Sequence, residues 1–101
     1  MTPAPQKPQD LVLHLKFKWF DKIKSGEKTE EYRETTEYWQ RRIQLHHFDR
    51  IVLLRGYPSV RTKENCIMFP WNGYVIKRIG SWEKQEMVEV FSMPLYVEVA
   101  P

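Results

Sequence analysis

Between Leu11 and Leu15 the chain reads LVLHL, and Leu11, Leu13 and Leu15 fall on one face of an extended strand while His14 points the other way. A half-buried first strand is predicted there, with His14 an ordinary surface or hydrogen-bonded histidine. Phe17, Trp19, Phe20 and Ile23 follow at the spacing of a short amphipathic helix. Ser25-Gly26 closes that helix, and Lys22 and Lys24 lie near its C-terminal end, where the helix dipole favours cations. Residues 28 to 33 carry Thr29 and Tyr32 and no cap of their own, so they read as a second strand.

Thr35 or Thr36 can cap a second helix bearing Tyr38, Trp39, Arg42 and Ile43. Phe48 to Leu54, FDRIVLL, is the clearest strand pattern in the chain. From Arg55 to Trp71, Gly56, Pro58 and Pro70 interrupt any period, and a long loop is predicted. Asn72-Gly73 marks a turn into a strand over Tyr74 to Ile79, and Leu95, Val97 and Val99 alternate in a closing strand after Pro94. About five short strands with two helices inserted early imply a mainly β chain with inserted helices, built as a small barrel or strongly curved sheet. A flexible tail is expected over 1–10 and a single domain over 11–101.

Composition narrows the setting. A length of 101 residues allows one core, and 42% apolar with 29% charged residues is the balance of a soluble globular domain. A net charge of +3 is compatible with a polyanionic partner, yet far from the charge density of a protein that coats DNA. The lone Cys66 excludes an intrachain disulfide and a cysteine zinc site, and points to a reducing, cytoplasmic compartment. The longest apolar run, Ile51 to Leu54, is far too short to span a membrane, and the proline-rich start lacks the apolar core of a signal peptide. No metal is expected, because His46 and His47 are adjacent and face different ways, and no cofactor is called for. Trp19 and Trp82 are assigned to packing.

The densest chemistry is SGEKTEEYR, residues 25 to 33. On a strand Glu31 and Arg33 share a face roughly 6 to 7 Å apart, close enough for the carboxylate to orient the guanidinium, while Lys28 points away unless the turn twists it back. Gly26 allows the turn or a close approach to a bound group. Mixed charges on a short strand are often just a solvated face with weak ion pairs. The sharper reading is a cleft in which Lys28 and Arg33 are aimed by Glu31 at a phosphate or base edge. Tyr38 and Arg42 on the second helix, and Arg55, Tyr57 and Trp71 on the long loop, supply the rings and cations that bind single-stranded nucleic acid. Trp39 and Ile43 fit the core.

The spacing Gly26-x-Lys28-x-x-Glu31-x-Arg33 resembles the GxKxxExR motif of the ASCH domain family, relatives of the PUA-like RNA-binding barrels. The helix ending in SGEKT, the YW helix, FDRIVLLRGYP and MFPWNGYVI extend the likeness over residues 11 to 80. The resemblance implies a PUA-like β-barrel that binds RNA, a nucleotide or a nucleoside. Some ASCH-like proteins hydrolyse acetylated cytidine with a lysine, a threonine and a distant glutamate; here Glu31 stands where that threonine would be. A carboxylate cannot attack as the hydroxyl would, and a neighbouring anion raises the lysine pKa. Thr29 lies two residues too early to replace it, and Glu83, Glu86 and Glu89 all remain candidates for the glutamate. Were the chain an RNA- or nucleoside-directed hydrolase, Lys28 and Glu31 would be its catalytic candidates. A third reading is an interaction module whose aromatic surface docks a protein.

Overall fold

β1 (Asp10–Leu15) has the alternating burial that LVLHL predicts, with Leu11, Leu13 and Leu15 inward and His14 exposed. These contacts come from a computed structural model that describes residues 8–81 and 83–96. α1 (Phe17–Lys24) buries Phe20 and Ile23. Ser25 and Gly26 end it, Gly26 at φ +82, a left-handed conformation that a side chain would strain. β2 (Glu30–Glu34) follows, so Lys28 and Thr29 precede the strand instead of opening it. Thr36 caps α2 (Glu37–Gln44) by accepting from Trp39 N at 3.3 Å, and Glu37 and Arg41 pair across one turn at 2.6 Å.

β3 (Arg50–Arg55) buries Ile51, Val52, Leu53 and Leu54 in succession, because it is the middle strand of its sheet and is covered on both faces. It runs parallel to β1, with Leu13 opposite Leu53, and antiparallel to β4 (Cys66–Pro70), with Met68 opposite Val52. β5 (Val75–Ser81) and β6 (Glu86–Pro94) form an antiparallel pair, and β6 also pairs with β2, setting Arg33 opposite Phe91 and Glu31 opposite Met93. The described residues therefore form two three-stranded sheets, ordered β1-β3-β4 and β2-β6-β5, plus two helices. Leu11, Leu13, Phe20, Ile43, Ile51, Leu53, Phe91 and Met93 meet in one core.

Several expectations are corrected. The predicted loop over 55–71 contains β4, whose short run CIMFP is hidden in sequence by flanking turn residues but completes the ladder beside β3. Trp71 therefore lies just past a strand, its N–H donating to Asp49 O at 2.9 Å. The last described strand is β6, which ends at Pro94; Leu95 and Tyr96 are not strand, and 97–99 lie outside the described residues. Gln9 and Asp10, expected in a flexible tail, are held against Asp49 and Arg50, while 1–7 lie outside the described residues.

No backbone ladder closes the strands into a barrel among the described residues. At the open edge of β1, side chains take the place of a neighbouring strand. Arg33 Nη2 donates to His14 O at 3.1 Å and Arg42 Nη2 to Val12 O at 3.3 Å, so two guanidiniums satisfy carbonyls on the edge of β1.

Candidate functional site

Register places Glu31 and Arg33 on the same face of β2 as Phe91 and Met93, which is the core face. Glu31 is 5% exposed, so its carboxylate needs partners. Arg33 Nη2 donates to Oε2 at 3.0 Å, Lys28 Nζ lies 3.7 Å from Oε1, and the Tyr32 N–H donates to Oε1 at 3.0 Å. One buried anion thus ties two cations together, leaving the cluster a net positive charge. Arg33 Nε is buried and has no hydrogen-bond partner among the described residues.

Lys28 does twist back, as the turn permits. Its ammonium donates to Glu30 O and lies 4.2 Å from the Tyr32 ring centroid and 6.0 Å from that of Trp19. Burial pushes the Lys28 pKa below the ordinary lysine value, against the upward pull of Glu31 and Glu30. The neighbouring anion expected to raise it is outweighed by desolvation. Tyr32 donates its hydroxyl to Glu30 Oε2 at 2.6 Å, which pushes the phenol up to about 12. Glu30 also accepts from Lys77 at 2.8 Å and is held below the usual carboxylate value, with Lys77 the chief cause.

Two surfaces flank this cluster. On the Lys28 side a hollow of about 360 Å³ is lined by Trp19, Lys22, Glu27, Lys28, Thr29, Glu30 and Tyr32. On the Arg33 side rings and guanidiniums lie interleaved. Tyr57 stacks on His14 with centroids 4.2 Å apart, and the His14 carbonyl accepts from Arg33. The Arg33 guanidinium lies 4.9 Å from the Trp39 ring and that of Arg42 5.3 Å from the same ring. Arg42 in turn lies 5.8 Å from Tyr38. Tyr57 and Tyr38, at the two ends, are 85% and 58% exposed. His14 Nδ1 lies 2.9 Å from Gly56 O and donates to that carbonyl.

The structure therefore brings Lys28, Glu31, Arg33, Tyr38, Arg42 and Tyr57 into one connected set. Lys28 and Arg33 share Glu31 but do not share a hollow, because the Arg33 side chain turns toward β1 and Trp39. Arg55, Trp71 and Gly26 lie elsewhere. Arg55 forms a two-point ion pair with Asp21 at 2.9 and 3.1 Å above Phe17, Trp71 packs edge-on against Phe48, and Gly26 serves as the helix stop. Sequence reasoning left Trp19 to packing and read His14 as a surface or hydrogen-bonded histidine, which its bond to Gly56 O fits, without its place beside Tyr57. The signal for Trp19 was present in Lys18 and Lys22, one on each side of it along the helix, whereas the stacking of His14 on Tyr57 joins residues 43 positions apart and leaves no local trace.

Among the described residues no group of three or more His, Cys, Asp or Glu side chains is placed to hold a metal, and no helix is long and apolar enough to cross a membrane. Compared with known proteins, the chain matches no family model, no curated protein and no solved structure.

Proposed function

We propose that this chain is a binding module for single-stranded nucleic acid, RNA by preference, of the ASCH/PUA-like kind that its GxKxxExR spacing resembles. One observation carries the reading. The run Tyr57, His14, Arg33, Trp39, Arg42, Tyr38 interleaves four rings with two guanidiniums, the first joined to His14 through its backbone carbonyl, with an exposed tyrosine at each end. Bases stack on such rings, and guanidiniums track the phosphates or stack in turn. Glu31 keeps Arg33 in place before any ligand arrives, so little side-chain entropy is lost on binding. Titration with single-stranded RNA at two salt concentrations tests this: affinity should fall steeply with salt, since phosphate contacts release counterions. A chain that binds no RNA at low salt would refute the reading, and a protein-docking role for the aromatic surface would then take its place.

A hydrolytic reading of the same cluster draws on one different fact. Burial lowers the Lys28 pKa from the ordinary lysine value, the direction a lysine base needs, in a hollow that Thr29 also lines. Turnover of RNA or of acetylated cytidine by the wild type, lost in Lys28→Ala, would establish it.

A further inference from the structure

The nucleic-acid track uses only the Arg33 side of the Glu31 cluster, and the hollow on the Lys28 side has a different chemistry. Three ammonium groups lie near the Trp19 indole, and two of them, those of Lys22 and Lys28, line the hollow. Lys18 Nζ lies 4.6 Å, Lys22 5.7 Å and Lys28 6.0 Å from the Trp19 ring centroid. Among the described residues neither Lys18 nor Lys22 has a carboxylate within ion-pair distance, so the local positive field is uncompensated from the helix side. Lys28, whose side chain is 17% exposed, donates to Glu30 O and lies 3.7 Å from Glu31 Oε1, two contacts that do not exhaust the three donors of an ammonium.

Two carboxylates also line the hollow, and their states differ. Glu30 is already engaged by Lys77 and Tyr32, while Glu27 is exposed at the rim. An anion seated between Lys22 and Lys28 therefore meets cations first, and the Glu27 carboxylate at the rim can accept from a base N–H, such as the N3–H of uracil. Trp19 and Tyr32 give the hollow two aromatic walls for a flat ring. Its volume, about 360 Å³, lies within the range of small-ligand sites, about 300 to 1,000 Å³.

We infer that this hollow is a pocket for a nucleotide phosphomonoester, the phosphorylated end of a single strand or a free nucleoside monophosphate, with the phosphate between Lys22 and Lys28 and the base against Trp19 and Tyr32. A terminal phosphate is favoured over an internal diester because it carries a charge of about −1.5 to −2 and three acceptor oxygens, matching several ammonium donors at once. The inference rests on the nucleic-acid reading for its ligand class but uses a different set of side chains.

The test compares three hexauridylates by calorimetric titration: one with a 5′-phosphate, one with a 3′-phosphate and one with hydroxyls at both ends. Uridine 5′-monophosphate serves as a fourth probe. One phosphorylated strand should bind about tenfold more tightly than the unphosphorylated one, the scale of a charge-assisted contact. Lys22→Ala should erase that preference, and Lys18→Ala should weaken it. Both positions lie on the outer part of α1, and unchanged thermal unfolding would show that each variant is folded. Arg42→Ala should weaken all three strands alike and keep the preference. Equal affinity for the three strands, or a preference that survives Lys22→Ala, overturns the pocket while leaving the track standing. Binding of the monophosphate alone, lost in Lys22→Ala, keeps the pocket and overturns the track; binding of none of the four overturns both.

Discussion

Glu31 and Arg33, two residues apart on β2, meet at 3.0 Å with the carboxylate almost fully buried on the core face of the sheet. Both partners are needed, because removing one side of a buried pair leaves the other charge without compensation. Glu31→Ala is expected to destabilise the fold by about 3 kcal/mol. Glu31→Gln, which keeps the shape and a carbonyl acceptor, should cost less. Chemical denaturation of the two variants measures the difference, and an alanine variant as stable as the wild type would contradict the burial of this anion.

Arg42 caps the β1 edge at Val12 O and contacts both Tyr38 and Trp39, yet its loss leaves no buried charge behind. Arg42→Ala should therefore lower RNA affinity more than stability. The slope of log affinity against log salt should fall by about 1, as for the loss of one phosphate contact. An unchanged slope would place Arg42 outside the interface.

Tyr32 links the hollow to solution pH. Its phenol is held protonated up to about 12 by the bond to Glu30, against 10.0 for an ordinary tyrosine. Between those values the unfolded chain releases its proton while the folded chain retains it, so the stabilisation from this group is whole below pH 10 and fades as pH rises toward 12. Tyrosinate absorbance should show one late-titrating phenol that disappears in Tyr32→Phe. A variant spectrum identical to the wild type in its late phase would reject the assignment.

Gly56 has φ +64, and a Cβ built there would come within 2.6 Å of Phe17 Cε1. Gly56→Ala combines left-handed strain of about 1–2 kcal/mol with displacement of the Phe17 ring from beneath Arg55. Reduced thermal stability is expected, together with weaker stacking of Tyr57 on His14, because Gly56 also supplies the carbonyl that His14 holds. RNA titration of the same variant reads the second effect.

Local pattern determined much of this chain. The alternation of LVLHL, the three-residue spacing of α1, the Thr36 cap of α2 and the apolar run of β3 all appear where period and capping place them, since each depends on neighbours within a few residues. Strand alternation likewise sets Glu31 and Arg33 on one face, and sequence shows that both signs of charge crowd into residues 28 to 33. What sequence withheld depends on partners far along the chain. β4 is a strand because β3 offers it a ladder, and β6 because it fills the space between β2 and β5. Burial of Glu31, depression of the Lys28 pKa and the separation of Lys28 and Arg33 onto opposite sides of their shared anion follow from how β2 meets α1 on one side and β1 and α2 on the other. Desolvation and long-range juxtaposition are properties of the assembled core, and no spacing of letters encodes them directly.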